Sequence, residues 1–282
     1  MKNNVKFLAI TMCGLNFIPA SISAFKEPYE NITDEEITII DKLAYHFLSI
    51  HTSIEHNDVK AMIQYALDDK EINKQSFKSK LPPPLHYAIT QGKPEIIQTL
   101  IEDCAADINL KDPLWKNRTP LHRAIIGMSE GSPEEKREFI TSVVRFLLQK
   151  SADLTLKDDR GLTPFLFMLE EYNIAKILTE DFALQVIQLF LDAGVDLLAK
   201  NNHEQTALHF AVKNKHMLLS KLLLNQNHEL INLEDTFGFS ALDYAMDNRD
   251  KAMVNLLLQY NPALTRWPQL CNNNNSGSIT FQ

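Results

Sequence analysis

Histidine is the residue in this chain whose placement most invites a chemical reading. His86, His122 and His209 occupy one position of a short motif that returns along the sequence: Pro83-Pro84-Leu85-His86-Tyr87-Ala88, Thr119-Pro120-Leu121-His122-Arg123-Ala124 and Thr206-Ala207-Leu208-His209-Phe210-Ala211. Three imidazoles could bind a transition metal if they converged. They cannot converge when each sits on its own copy of a repeating unit. Packed helices lie about 8–10 Å apart, whereas zinc holds its ligands at about 2 Å. The third copy, Thr163-Pro164-Phe165-Leu166-Phe167-Met168, carries Leu166 in place of histidine. The expected role of these histidines is therefore structural, a hydrogen bond to a neighbouring turn, and no metal or cofactor is expected.

Other reactive groups fit no catalytic pattern. Cys104 has no histidine near it in sequence, and Cys271 lies in a polar stretch. No nucleophile elbow, paired-histidine helix motif or phosphate loop is present. Asp158-Asp159 and Asp34-Glu35-Glu36 read as turn and helix-cap residues. The chain is not expected to be an enzyme, although a site built across distant loops stays open as an alternative.

The elements that carry the motif come next. A fifth copy is Ser240-Ala241-Leu242-Asp243-Tyr244-Ala245, and the leucine-equivalent positions are 36, 44, 43 and 34 residues apart. A second apolar stripe follows each copy, as in Ile96-Ile97 with Leu100-Ile101, or Val143-Val144 with Leu147-Leu148. Apolar pairs at i, i+1, i+4 and i+5 share one face of a helix. Threonine suits a helix N-cap, and the proline after it suits the first helical position, where its missing N–H costs nothing. Gly161 and Gly238 stand two residues before the cap, at a turn that favours positive φ, and Asn117 is tolerable there. Glu204 and Leu81 fit that position poorly, so altered turns are expected at both. The long spacings imply insertions at Gly127 to Glu138 and roughly Tyr172 to Phe182. In the first, Ser132-Pro133-Glu134-Glu135 reads as a helix start.

These residues resemble the ankyrin repeat, whose signature is T-P-L-H-x-A at a period near 33 residues. The resemblance implies an all-α solenoid of stacked helix-turn-helix units with short β-hairpin-like loops. The expected layout is a signal peptide at 1–24, an N-terminal cap or divergent first repeat at 25–75, and repeats at 80–112, 116–156, 160–200, 203–234 and 237–265. The last is a C-terminal cap, and a polar, disordered tail follows at 266–282. The resemblance extends to exported ankyrin-repeat proteins of intracellular Gram-negative bacteria.

Charge and the N-terminus bear on location. The formal charge is −8. Lys2 and Lys6 precede the apolar run Phe7 to Ile18, and Pro19 and the small residues Ala20, Ser21, Ser23 and Ala24 follow. That is the order of a secretory signal peptide cut after Ala24; a buried amphipathic N-terminal helix is the other reading. The run is shorter than the roughly 20 apolar residues of a membrane span, so no membrane insertion is expected after cleavage. Removing the leader takes two lysines and no acid. The mature chain would then carry −10, which disfavours nucleic acid as a partner. The product is expected outside the cytoplasm, secreted or periplasmic, as a monomer.

By the same resemblance, a protein partner would meet the loop tips and the concave face of the first helices. Trp115 and Phe237 are large apolar residues at tip positions that are usually wet, and aromatic and arginine side chains dominate interface energetics. Trp115, Lys116, Arg160, His203 and Phe237 are the expected contacts. The competing reading is that Trp115 and Phe237 fold back onto neighbouring tips. A host protein is the first expected partner and a resident periplasmic enzyme the second.

Overall fold

The computed structural model describes residues 51–56, 73, 82–127, 130–172, 180–260 and 262. The expected leader at 1–24, most of the unit at 25–75, Leu81, the tail at 266–282 and Cys271 lie outside the described residues.

Five helix pairs follow one another: α1 (Pro84–Thr90) with α2 (Pro94–Glu102), α3 (Pro120–Ile126) with α4 (Pro133–Gln149), α5 (Pro164–Tyr172) with α6 (Glu180–Asp192), α7 (Ala207–Lys213) with α8 (Met217–Gln226), and α9 (Ala241–Asp247) with α10 (Lys251–Leu258). The first helices of successive pairs pack in order, α1 on α3, α3 on α5, α5 on α7 and α7 on α9. That order is an all-α ankyrin solenoid, in which each unit buries its apolar face against the next. Ala88, Ala124, Ala211 and Ala245, at the same place in their first helices, are fully buried. The third pair has Met168 there instead, and the small Ala183 of α6 lies against the same residual void.

Local chemistry explains the helix ends. Pro84, Pro120 and Pro164 each open a helix. Ser132 opens α4, accepting from the Glu135 N–H at 3.2 Å while its own N–H donates to Glu135 Oε2 at 2.7 Å. This reciprocal cap lets the first insertion extend the second helix of its unit to 17 residues. As a result α4 packs directly on α6, and a groove of about 680 Å³ runs between them past Arg137, Arg145, Phe146 and Phe182. Among the described residues, no helix is long and apolar enough to cross a membrane.

Hairpins join the units. Bridges pair Asp112 with Arg118 and Glu234 with Ser240. The turn at Glu204 is not altered, contrary to expectation. Glu204 adopts φ 59°, beside φ 74° at Gly161 and φ 70° at Gly238, so a glutamate is held in a conformation that suits glycine.

Candidate partner-binding surface

The hairpin tips are organised by one carboxylate or carboxamide each. Asp158 Oδ1 accepts from the N–H groups of Arg160 (2.9 Å) and Leu162 (3.0 Å). Asn201 Oδ1 does the same for His203 and Gln205, both at 2.9 Å. Asp235 Oδ1 takes Phe237 (2.9 Å) and Phe239 (3.0 Å). All three acceptors are buried, so the tip backbone is satisfied from inside. The signal was available in the sequence: an Asp or Asn stands five residues before the cap in these three repeats. In the second repeat Pro113 and Leu114 lengthen the tip, and Asp112 Oδ1 accepts from Leu114 N at 3.0 Å.

Backbone bonds then join tip to tip. Asp159 N donates to Lys116 O (3.0 Å), Asn202 N to Arg160 O (3.1 Å) and Thr236 N to His203 O (3.0 Å). Side chains reinforce the row. Asn117 Nδ2 donates to Asp159 Oδ1 at 2.7 Å, and Asn202 Nδ2 to Asp159 O at 2.9 Å. One level below, Lys111 Nζ reaches Lys157 O and Lys157 Nζ reaches Lys200 O. Lys116, Arg160, His203 and Phe237 thus occupy equivalent places along one continuous edge. Lys116 and His203 are exposed, and Phe237 is 68% exposed. Arg160 leans back, with Nη1 2.5 Å from Glu170 Oε2.

Trp115 departs from that row. It is half-buried and packed on the core. The guanidinium of Arg118 lies 4.4 Å from its ring centroid and that of Arg123 lies 4.5 Å away. The Phe167 ring meets it edge-on at 6.3 Å. Arg118 is itself buried, 4.2 Å from the Phe167 centroid and 3.3 Å from Asp158 Oδ2. Cation–π and ion-pair attraction therefore draw Trp115 inward, against Arg123 of α3 and Phe167 of α5. Of the two aromatic tips, Trp115 folds back and Phe237 does not.

The recurring histidines are joints between units. His122 Nδ1 accepts the Thr119 N–H at 3.2 Å, which leaves the proton on Nε2 to donate to Leu162 O of the next unit at 3.0 Å. His209 repeats this with Thr206 N (3.1 Å) and Phe239 O (3.1 Å). His86 reaches Arg118 O at 3.0 Å. Pro83 offers it neither an N–H nor a hydroxyl, and Nδ1 is buried with no hydrogen-bond partner among the described residues. Burial holds both His86 and His122 down to about 4. His51 completes the ladder, with Nε2 2.9 Å from Pro82 O. It stands 35 residues before His86, and the sequence reading missed it because Leu48-Ser49-Ile50 precedes it in place of the usual motif. Among the described residues of unit 25–75, His51 is thus in register with the repeats, and Asn73 Oδ1 accepts from Asp107 N at 2.6 Å as Asn109 Oδ1 accepts from Asp153 N one unit later at 2.8 Å. Among the described residues, no three His, Cys, Asp or Glu side chains are grouped to hold a metal ion.

Comparison with known proteins agrees with this geometry. The chain is 28% identical over 177 residues to the human B-cell lymphoma 3 protein, covering 60% of this chain and 34% of that protein. It is 27% identical over 146 residues to an ankyrin repeat protein of fowlpox virus (strain NVSL), covering 49% of this chain and 92% of that protein. The match therefore spans about a third of the human relative's length. The family model for ankyrin repeats (3 copies) matches residues 50–158 and 180–266, more than half of the chain. With the histidine joints, the zipped hairpins and this match in hand, the chain belongs to the ankyrin-repeat family, whose arrays serve as modules for protein–protein interaction.

Proposed function

We propose that this chain is a non-enzymatic protein-binding module that acts after export and grips a host protein along the hairpin tips and the concave face. One observation carries the binding surface. Lys116, Arg160, His203 and Phe237 share an edge whose backbone is tied together, and Phe237 presents 68% of its surface at one end of it. A rigid edge loses little conformational freedom on binding, so an exposed aromatic on it is a favourable anchor. Export is supported by the basic, apolar and small-residue order of positions 2 to 24.

The test is affinity capture with the mature chain from host and bacterial extracts, repeated with Phe237→Ala combined with His203→Ala. The double variant should lose the captured protein and keep the wild-type circular dichroism melt, because neither side chain is in the core. Equal capture by the double variant would remove the tip row from the function. Mass spectrometry of the mature N-terminus tests the leader, and an intact Met1 would refute export. Protein confined to the periplasm would instead favour a scaffold for a resident enzyme.

A further inference from the structure

The residue after the histidine position is Tyr87, Arg123, Phe167, Phe210 or Tyr244 in successive repeats. Four are aromatic and have settled environments. Tyr87 hydrogen-bonds Glu55, Tyr244 donates to Asp235 Oδ2 at 2.6 Å, and Phe167 and Phe210 are buried. Arg123 does not share this closure. Its Nε donates to Thr90 Oγ1 at 2.7 Å, and its guanidinium lies 4.5 Å from the Trp115 centroid. Among the described residues no carboxylate forms an ion pair with it within 4 Å; the buried Asp112, which caps Leu114 N, acts on it only from farther off, while the neighbouring cations Arg118 and Arg160 are paired with Asp158 and Glu170. Lys116, exposed next to Trp115, adds a second positive charge.

We infer that Arg123, stacked on Trp115 and flanked by Lys116, forms a subsite on the concave face for an acidic side chain of the bound protein. This rests on the protein-binding reading of the same surface and specifies its chemistry. A guanidinium keeps its charge in any protein environment, and burial already disfavours that charge at Arg123. A carboxylate set against its two terminal nitrogens offsets that cost with a bidentate pair. The Nε bond to Thr90 and the Trp115 ring hold the fork in place beforehand, so little side-chain freedom remains to be lost. Glu170 is taken up by Arg160, and Glu171 acts through space on Arg118 and Lys116, so Arg123 is the anchoring charge of the subsite and Lys116 its weaker flank.

Trp115 is a built-in reporter once Trp267, the other tryptophan, is replaced in a Trp267→Phe background. The probe is an acetylated, amidated hexaglutamate peptide at low salt, against its hexaglutamine counterpart. We expect a saturable change in Trp115 emission with hexaglutamate, none with hexaglutamine, and weakening by about tenfold or more in Arg123→Gln. Lys116→Gln, exposed and outside the core, should weaken binding less and serves if Arg123→Gln fails to fold. Equal response to both peptides, or undiminished hexaglutamate binding by either folded variant, overturns the subsite. A protein captured in extracts that is lost with Phe237→Ala but kept with Arg123→Gln would overturn the subsite alone and leave the tip reading standing.

Discussion

Glu204 fills a backbone position that glycine holds in the hairpins before and after it, and it does so at φ 59°. A side chain in that region costs roughly 1–2 kcal/mol relative to glycine. What Glu204 gains in return is a surface ion pair to Lys200 at 2.9 Å, a contact of the kind worth less than about 1 kcal/mol. Glu204→Gly should therefore stabilise the fold by about 1 kcal/mol, seen as a rise of about 3 °C in the thermal midpoint. The reverse exchange next door should act oppositely. A Cβ on Gly161 would stand 2.2 Å from Asn202 Oδ1 and 2.6 Å from Asn202 N, at φ 74°. Gly161→Ala should cost about 2 kcal/mol or more and loosen the tip row at its centre. A lowered midpoint for Glu204→Gly would mean that the Lys200 pair outweighs the backbone term. Residues of this kind also mark the limit of sequence reading. That Glu204 fits a glycine site badly was legible; that the turn would persist regardless was not, because neighbouring tips impose it through Asn202 and Thr236. The inward turn of Trp115 has the same origin, since Arg118, Arg123 and Phe167 become its neighbours only when the units stack.

At the scale of the element, the histidine ladder ties stability to pH. His86 and His122 remain neutral in the folded chain down to about pH 4 because burial disfavours the imidazolium. At His122 a proton on Nδ1 would also displace the Thr119 N–H bond. In the unfolded chain a histidine protonates near pH 6.5. Between those values the unfolded state binds more protons, so acid favours it. Stability should be level above pH 6.5, fall as pH drops from 6.5 to 4, and lose on the order of 3 kcal/mol for each of the two residues across that window. Urea melts at several pH values measure this directly. His122→Gln, which cannot titrate, should reduce the slope by less than half, because His86 and His209, also pushed down by burial, keep contributing, and an unchanged slope would assign the pH dependence to other groups. The ladder was legible in outline, since a histidine in one place of a recurring motif is more easily a joint than a ligand. His51 was not, because its cap motif has worn away and only its period and its bond to Pro82 O identify it.

The whole molecule is a row of units in which each touches only its neighbours, so its cooperativity depends on its weakest interface. Between the third and fourth units that interface lacks one joint. Leu166 stands where histidine would reach across, and the carbonyl waiting in the fourth unit, Gln205 O, accepts, among the described residues, the Asn201 N–H of its own hairpin and no histidine. Arg118 O, Leu162 O and Phe239 O each accept both a hairpin N–H and a histidine. The third unit compensates locally, burying Phe165, Phe167 and Met168. Those bulky side chains strengthen packing within the unit without restoring a directional bond to the next. Leu208, fully buried in α7 on the far side of this interface, gives a way to read the coupling. Leu208→Ala should cost about 2–5 kcal/mol. Where coupling is weak, that loss stays in the units that contain it. Native-state hydrogen exchange of the variant should show residues 207 to 258 losing protection by most of that amount, while α1 to α4 retain theirs. Uniform loss across both halves would mean that the remaining contacts, the tip bonds from Asn202 to Arg160 and Asp159 among them, couple the halves without the missing histidine. In that case Gly161→Ala, which disturbs those bonds, should separate the halves where Leu208→Ala did not.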